Sequence, residues 1–208
     1  MNILIATLRA GVRKALDDIT PGVVDTFTND ADAEIDQALL HAAISLSKQL
    51  ALDMVSPTVV SSGLTSGTRE SDGSAYIQLP PDFLRFVSFT TANWVSVVSE
   101  LIERGSDAEK HQRTPWSRGT ASKPKAMLDS IVNGNPATSK DVLRYWPGTD
   151  TDAPTLVYVK TAKIETNTLE CALKDECEKN VIYMACRIFL EGKKEHVSAE
   201  KFAQLTTI

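Results

Sequence analysis

Six basic residues surround a tryptophan in the middle of the chain, and their types point more directly to chemistry than any other segment. They are Arg104, Lys110, Arg113, Arg118, Lys123 and Lys125, with Trp116 among them. Cationic side chains beside an aromatic ring are typical of single-stranded nucleic-acid binding, through phosphate contacts and base stacking. Carboxylates at Glu103, Asp107 and Glu109 dilute this charge. We therefore favour a solvated loop or a subunit contact here, with nucleic-acid binding as the alternative.

Two segments with metal-ligand residue types lack the spacing of a metal site. Residues 29–34, Asn-Asp-Ala-Asp-Ala-Glu, are acidic like a calcium loop but have no central glycine, and a helical periodicity begins there. The three cysteines are Cys171, Cys177 and Cys186. On a straight helix the first two would point in different directions, because six residues are not a whole number of turns. We expect buried, reduced thiols and no metal or other cofactor.

The sequence contains no recognisable catalytic motif. Residues 61–68 hold two glycines but lack the lysine of a phosphate-binding loop, and there is no nucleophile elbow and no His-Glu-x-x-His zinc motif. The three histidines are scattered along the chain and offer few general bases. We expect that the protein is not an enzyme; an enzyme would need a site built from dispersed carboxylates.

The composition predicts one folded domain with an acidic surface. The chain has 208 residues, of which 42% are hydrophobic, and its formal net charge is -5. A chain of this length buries roughly 70% of its unfolded surface, which is enough for one core. The acidic balance argues against a protein that wraps nucleic acid, but not against one through which nucleic acid passes. No apolar run approaches about 18 residues, so no membrane contact is expected.

Helical periodicity marks the two ends of the chain. A first helix is predicted over residues 3–18 and a second over residues 30–50, with Asp32 and Glu34 in its first turn, where the helix dipole favours negative charge. A long C-terminal helix ending at Gly192 is predicted from six residues on one face: Leu169, Leu173, Cys177, Val181, Met184 and Ile188.

Between these helices the apolar period changes to two, which predicts strands. The predicted strands cover residues 75–79, 83–91, 94–98, 125–130, 142–146 and 155–160, the last of these being the final strand. Two short helices are predicted at 100–104 and 106–113, the second with Ser106 and Glu109 as a capping box. A turn is predicted at 133–136, Asn-Gly-Asn-Pro.

The order of elements predicts an α+β fold, in which terminal α-helices pack as a small bundle around an inserted small antiparallel β-sheet. We expect a single domain over 1–208, helical over 1–55 and 165–208, with a β-rich insertion at 75–162. Residues 56–74 are rich in Ser, Thr and Gly and predict a flexible arm. That arm is either a mobile surface loop or a segment that orders against a neighbouring subunit.

Several short motifs, in their order along the chain, resemble the head-to-tail adaptor (connector) proteins of tailed bacteriophages. An acidic-capped early helix is followed by Tyr-Ile-Gln-Leu-Pro-Pro-Asp-Phe at 76–83, which resembles the family's Y-x-L-P-x-D-F strand. Leu-Arg-Tyr-Trp-Pro at 143–147 and Thr-Leu-Val-Tyr-Val at 155–159 resemble its later paired strands. The resemblance covers roughly residues 30 to 190. The 56–74 segment, the lengthened turn at 133–140 and the residues after Trp116 depart from the family pattern.

The resemblance implies a structural virion protein without catalytic activity. Family members form a ring, typically of twelve copies, beneath the portal protein, where the ring extends the DNA channel and offers a platform to tail or nozzle proteins. The implied location is the head-tail junction of the virion, with the host cytoplasm during assembly. Genomic double-stranded DNA would pass through without sequence-specific binding. A stopper or tail-completion protein, and a nucleic-acid-binding module, remain the alternatives.

Three contact regions follow as expectations. The 56–74 arm, with Leu64 and Arg69, is expected to contact an adjacent subunit or the tail. The hairpin with Asn133, Asn135 and Lys140 is expected to face a partner ring. The C-terminal tail is expected to dock on the portal, as the family's C-terminal region does, through Phe202, Leu205 and Ile208. A final turn folded onto its own domain is the alternative for this tail.

Overall fold

The computed structural model describes residues 1–19, 31–64, 70–133, 138–148, 153–193 and 196–206. The fold is α+β, as expected from the sequence. The chain divides into two compact units: residues 1–56 together with 159–208 form unit 1, and residues 57–158 form unit 2. Unit 2 corresponds to the predicted arm at 56–74 together with most of the β-rich insertion predicted at 75–162.

The described residues contain five α-helices and nine strands. The helices are α1 (Ile5–Ile19), α2 (Ala31–Gln49), α3 (Asp107–Gln112), α4 (Glu178–Gly192) and α5 (His196–Leu205). The strands are β1 (Asn2–Leu4), β2 (Thr58–Val60), β3 (Ala75–Gln78), β4 (Phe83–Thr91), β5 (Lys125–Asn133), β6 (Thr138–Trp146), β7 (Pro154–Lys160), β8 (Lys163–Glu165) and β9 (Thr168–Glu170). None of the described helices is both long enough and apolar enough to cross a membrane.

In unit 1 the helix α4 packs against α1, α2 and α5. Most of the predicted apolar positions are buried there: Leu8, Val12 and Leu16 of α1, Ile35, Leu39, Ala42 and Leu46 of α2, and Val181 of α4. Met184 and Ile188, which were predicted on the same face of α4, are only partly buried. Where α1 meets α4, Gly11 lies close to Ile182: an added Cβ would be 2.7 Å from Ile182 Cδ1, so the end of that side chain would have to shift. Outside this core, Arg9 ties α1 to α2 through Asp36, with Nε donating to Oδ1 at 2.7 Å.

The predicted C-terminal helix is wrong in its first part. Residues 163–170 form the β8–β9 hairpin, which pairs through β9 with β1 in the sheet order β1-β9-β8. A 3₁₀ turn at Asp175–Cys177 follows, and α4 begins only at Glu178. All three residues that were predicted on this helix face are buried, but they lie in different elements. Leu169 is on β9, Leu173 is at an isolated bridge, and Cys177 is in the 3₁₀ turn. Their four-residue spacing therefore imitates a helix face.

Unit 2 contains two three-stranded sheets, where one small sheet was predicted. Their orders are β2-β7-β4 and β3-β6-β5. The core between them is closed by aromatic contacts: Phe89 lies 5.4 Å from Trp94 and 5.0 Å from Tyr145, measured between ring centroids. Tyr158 on β7 is buried and donates a 2.8 Å hydrogen bond from its hydroxyl to Asp82 Oδ1.

Three local predictions in unit 2 had different outcomes. The capping box is confirmed: Ser106 Oγ accepts from Glu109 N at 3.3 Å, and Glu109 Oε2 accepts from Gly105 N at 2.6 Å. The predicted strand at 94–98 is reduced to a single bridge between Val98 and Phe89. The predicted helix at 100–104 does not form.

The described parts of the predicted flexible arm are built into unit 2. Within residues 56–64, β2 pairs antiparallel with β7, so that Val59 lies opposite Val157. Leu64 is partly buried against the unit 2 core. At the other end, Gly73 N donates to Glu70 O at 2.9 Å in a tight turn. Residues 65–69, including Arg69, lie outside the described part of the chain.

Candidate interaction surfaces

Trp116 projects into solvent from the loop that follows α3, and 93% of its surface is exposed. Hydrogen bonds beneath the ring give this loop a defined shape. Ser117 N and Arg118 N both donate to Thr114 O at 3.2 Å, and Ser117 Oγ donates to His111 O at 2.7 Å. Exposed tryptophan is unusual on a free surface and enriched at the centres of interfaces. We name residues 113–119 the Trp116 loop.

Gly119 holds the Trp116 loop close to the neighbouring sheet. Gly119 N donates to the buried Gln112 Oε1 at 2.7 Å, and Gln112 Nε2 donates to Ala108 O at 2.9 Å. A Cβ added to Gly119 would lie 2.7 Å from Trp146 O and 3.0 Å from Lys125 N, both backbone atoms. Only glycine allows the loop to approach β6 this closely, so the tryptophan is presented from a fixed base.

Most of the six basic side chains around Trp116 already have partners within unit 2. These are Asp129 for Arg104 at 3.3 Å, Asp107 for Lys110 at 2.7 Å, Glu109 for Arg113 at 3.2 Å, and the main-chain oxygen of Asp72 for Arg118 at 2.7 Å. Within the described residues, Lys123 and Lys125 make no ion pair. The segment is therefore less available to phosphates than its sequence indicates.

A second exposed apolar segment runs beside this loop. Val95 N donates to Ala121 O at 2.9 Å, and Ser96 Oγ donates to Ser122 O at 3.0 Å. The side chain of Val95 is 83% exposed, and Val97 is also exposed. Sequence reasoning missed this surface because the alternation of residues 94–98 was interpreted as a strand with one buried face.

An apolar pocket of about 310 Å³ lies where the core-facing side of the β3-β6-β5 sheet continues past the core. Along β5, Ala126 is fully buried, and Leu128, two residues later on the same face, is 40% exposed. Leu79 and Phe83 complete an apolar floor. The full lining, which we name the Leu128 pocket, is Leu79, Phe83, Arg104, Leu128, Asp129, Ser130 and Asp141. Its carboxylates give the rim an acidic character.

On the opposite face of the same sheet, Arg144 is the centre of a polar cluster. Its Nη2 lies 3.1 Å from Asp72 Oδ2, its Nε donates to Ser74 Oγ at 2.9 Å, and its Nη1 lies 3.8 Å from Asp129 Oδ2. The guanidinium also stands 5.5 Å from the centre of the Trp146 ring. Each charge is satisfied by another, which is the pattern of a structural clamp rather than of a reactive site.

The pKa of Asp72 shows which effect dominates in this cluster. Burial acts to raise the pKa of the carboxyl group, but hydrogen bonds from Ser74 and the charges of Arg144 and Arg118 outweigh it and lower the pKa below its usual value. Asp72 therefore stays ionised, and its turn stays attached to β6.

Unit 1 has a groove of its own, of about 450 Å³, between α2 and α4. Its lining is Ala33, Glu34, Gln37, Ala38, His41, Ile188, Phe189, Gly192 and Lys193. Glu34 and Lys193 form an ion pair across the groove. His41 was interpreted from the sequence as a solvated helix residue, and it lies at the exposed side of α2.

The potential metal ligands and the thiols are the remaining reactive groups of the described residues. No group of three or more His, Cys, Asp or Glu side chains is gathered there in a way that would hold a metal ion. All three cysteines are free, and burial raises the pKa of each thiol, that of Cys186 to about 12. Protonated, enclosed thiols of this kind are poor nucleophiles.

The residues predicted for subunit or tail contact are spread over the β-rich part of the chain. Leu64 packs against the core. Asn133 pairs with Thr138 at the end of the β5–β6 hairpin. Lys140 is exposed on β6, with Nζ 3.5 Å from Gln78 Oε1. Arg69 and Asn135 lie outside the described residues.

The C-terminal residues predicted for portal docking separate into different environments. Phe202 is fully buried in unit 1, with its ring 6.2 Å from that of Tyr183 on α4. Leu205 is 48% exposed, and Ile208 lies outside the described residues. The Phe202 side chain is therefore a core residue here, and a docking surface on α5 would use Leu205.

No family model matches the chain, and a search of the curated proteins likewise finds no match.

Proposed function

We propose that the chain is a structural protein of a tailed-bacteriophage virion: a head-to-tail adaptor that forms a ring, typically of twelve copies, below the portal. The ring extends the DNA channel and provides the platform to which tail or nozzle proteins attach. In this proposal the protein is not an enzyme, it needs no cofactor, and it meets no membrane. It is made in the host cytoplasm and ends at the head-tail junction.

The observation that carries the proposal is the order of the elements. The motifs at 76–83, 143–147 and 155–159 fall on β3 to β4, β6 and β7, which are the strands that build unit 2. The two ends of the chain come together in unit 1, and unit 2 is inserted between them. This is the order that the resemblance to the adaptor family implies. In the finer form of the proposal, the terminal helices form the small bundle that carries the inserted β-rich part.

Exposed apolar side chains support a role in assembly. Trp116, Val95, Val97 and Leu205 are all exposed although they are large and apolar. Exposed apolar side chains are typical of interaction sites when they lie together, as Val95 and Val97 do beside the Trp116 loop in unit 2. A subunit of a ring must bury different patches against its two neighbours, because a closed ring uses heterologous contacts.

The acidic charge suits a channel wall that DNA crosses without adhering. With a net charge of -5, the surface on average repels the phosphates of DNA, whereas electrostatic steering would attract an oppositely charged partner. This part of the proposal fails if the residues that face the channel in an assembled particle prove to be mainly Lys and Arg.

The proposal is tested on purified virions. Phage in which this gene carries an early stop codon should produce DNA-filled heads without tails, and the same gene supplied in trans should restore infectious particles. Imaging of wild-type virions by electron microscopy should place the protein as a ring in direct contact with the portal. A ring that lies farther along, separated from the portal by another protein, would identify a stopper or tail-completion protein instead. A protein that is absent from the particle would refute both.

One observation favours a second candidate function, a nucleic-acid-binding module. Residues 110–125 contain five cations and no carboxylate, and Trp116 stands exposed among them. Binding of a fluorescent oligonucleotide to the free protein, weakening steeply as salt is added, would support this candidate.

A further inference from the structure

We propose that Trp116 of one copy inserts into the Leu128 pocket of a second copy of this chain, and that this is a contact between neighbouring subunits of the ring. The inference rests on the proposed function, since it supplies the heterologous contact that a ring requires. It names the partner as another copy of the protein and the two surfaces as the Trp116 loop and the Leu128 pocket.

The contact has to be between two molecules. The Trp116 loop and the Leu128 pocket both belong to unit 2, which is one compact body. In that body the indole is 93% exposed, so it does not occupy the pocket of its own chain.

Shape and polarity suit the pair. The pocket has a volume of about 310 Å³ and an apolar floor of Leu79, Phe83 and Leu128. Pockets of this size class accept planar aromatic groups of the size of an indole. Insertion would cover the exposed ring and the exposed part of Leu128 together. Tryptophan is among the residues most enriched at interface hot spots, which lie in well-packed pockets.

The charges around the two surfaces are complementary. Beside the Trp116 loop, Lys123 and Lys125 make no ion pair within the described residues, so their positive charges can face a partner. At the pocket, Asp129 is already paired with Arg104 and Arg144, which leaves the carboxylate of Asp141 to face a partner. Asp141 is exposed at the rim, where it would face the basic side chains that flank the inserted ring. Opposite charges at a rim mainly set the register of the contact and its rate of formation.

A second copy accounts for these features better than nucleic acid does. Single-strand binding sites stack several bases on successive aromatic rings, whereas Trp116 is the one aromatic residue between 110 and 125. Arg113 and Arg118, the cations nearest to it in sequence, are already held by Glu109 and by the backbone of Asp72. Nucleic-acid binding predicts nothing about a pocket on the far part of the unit, while self-association uses both.

The test uses the full chain and two complementary variants. Trp116→Ser removes the inserted ring and keeps the pocket; Leu128→Lys blocks the pocket and keeps the ring. Val59→Ser removes another exposed apolar side chain, from β2, and serves as the matched control. Asp141→Lys is a second pocket variant at an exposed position, in case Leu128→Lys perturbs β5. Association is measured by sedimentation velocity up to about 1 mM protein, near the weakest range of specific binding.

The expected results are distinct for each sample. The wild type and Val59→Ser form species larger than dimers, because each copy offers one ring and one pocket. Trp116→Ser alone, and each pocket variant alone, associate roughly 30-fold more weakly or worse, as for the loss of a hot spot. An equimolar mixture of Trp116→Ser and Leu128→Lys restores association but stops at two chains, since only one intact ring–pocket pair is left.

Three outcomes would overturn the inference: a wild type that remains monomeric at the highest concentration, a Trp116→Ser variant that assembles like the wild type, or a mixture that does not form the heterodimer. Loss of oligonucleotide binding by Trp116→Ser with unchanged self-association would assign the ring to nucleic acid instead. None of these results gives information on where the protein lies in the virion. Failure of this inference is therefore distinguishable from failure of the adaptor proposal, which is tested by electron microscopy.

Discussion

Arg144 and Asp72 hold together two parts of unit 2 that are 72 residues apart in the sequence, with Nη2 3.1 Å from Oδ2. Asp72 also accepts from Ser74 N at 3.0 Å and from Ser74 Oγ at 2.7 Å. Both charged side chains are mostly shielded from solvent. The tight turn at 70–74 therefore depends on a charged network and not on apolar burial, which makes its stability dependent on pH.

Asp72→Asn should destabilise the protein by about 1–2 kcal/mol at neutral pH, because the charge-assisted bonds to Arg144 and Ser74 are weakened while Arg144 stays half-buried. Since the pKa of Asp72 is lowered in the folded state, its contribution is complete above about pH 4 and is lost as the pH falls through the folded pKa. Urea unfolding from pH 7 to pH 2 should show the gap between wild type and variant closing on acidification.

The control for Asp72→Asn is Asp107→Asn, which removes an exposed carboxylate paired only with Lys110. It should change the free energy of unfolding by less than about 0.5 kcal/mol. If the Asp72→Asn gap stays constant down to pH 2, the ionised carboxylate is not what holds the turn.

Gly119→Ala should destabilise unit 2 by about 1–3 kcal/mol, because the added methyl group would press on the backbone at Trp146 O and Lys125 N, which cannot move aside cheaply. Gly192→Ala is the control: nothing lies within 4 Å of its added Cβ, at the end of α4. That change should be neutral or slightly stabilising. Thermal unfolding measures both; equal effects would show that the Trp116 loop is not tightly seated.

Substitutions of Phe202 and Leu205 are expected to affect different properties, the first the stability of the fold and the second docking on the portal. Phe202→Ala should cost about 3–5 kcal/mol, because it empties a fully buried site against Tyr183. Leu205→Ser changes an exposed side chain and should leave the free energy of unfolding within about 0.5 kcal/mol. Under the portal-docking prediction, Leu205→Ser should nevertheless reduce recruitment to capsids, measured by the amount of protein in purified particles.

A deletion of residues 197–208 would combine these two effects, because it also removes the Phe202 ring from the unit 1 core. Normal recruitment of both Leu205→Ser and the deletion variant to capsids would refute the portal assignment.

The sequence predicted α2 almost to the residue, as 30–50 against the observed Ala31–Gln49. Two independent signals agree there: a long apolar face, and acidic residues where the dipole favours them. The capping box at Ser106 was predicted for the same reason, since it depends only on side chains three residues apart. Local interactions of this kind involve residues that are close together in the sequence, so they can be predicted without knowledge of the rest of the fold.

The errors arose where distant segments decide the structure. The β8–β9 hairpin turns at Thr166 and Asn167, which both have positive φ, and Thr166 is not a residue that signals such a turn. Its strand β9 is stabilised by β1, more than 160 residues away, with Ile3 opposite Leu169. The spacing of Leu169, Leu173 and Cys177 gives no information about the pairing with β1.

The candidate contact surface was predicted only in part. The basic residues around Trp116 were visible in the sequence, but the partners of Arg104 and Arg118 were not, because Asp129 and the backbone oxygen of Asp72 come from another strand and another turn. The Leu128 pocket was invisible for a similar reason. The pocket forms where β5 extends beyond the core, and the position of that point along β5 depends on where the second sheet ends.

Tyr158 and Asp82 provide a last prediction, at alkaline pH. Burial and the hydrogen bond to Asp82 raise the pKa of Tyr158 to about 12, from an ordinary value of 10.0. The protonated phenol therefore contributes stability that is complete below about pH 10 and is lost as the pH rises towards 12. Tyr158→Phe cannot ionise. The wild type should be more stable than Tyr158→Phe by about 1–2 kcal/mol near neutral pH, and this advantage should shrink above pH 10.

Urea unfolding at several pH values, with ultraviolet difference spectra to follow tyrosinate formation, measures this effect. Asp82→Asn provides the second variant: without the carboxylate the pKa of Tyr158 should fall, because one of its two causes is removed, so that the loss of stability begins at a lower pH than in the wild type. A stability gap between wild type and Tyr158→Phe that does not change from pH 8 to pH 12 would show that the phenol is not held protonated by its burial and by Asp82.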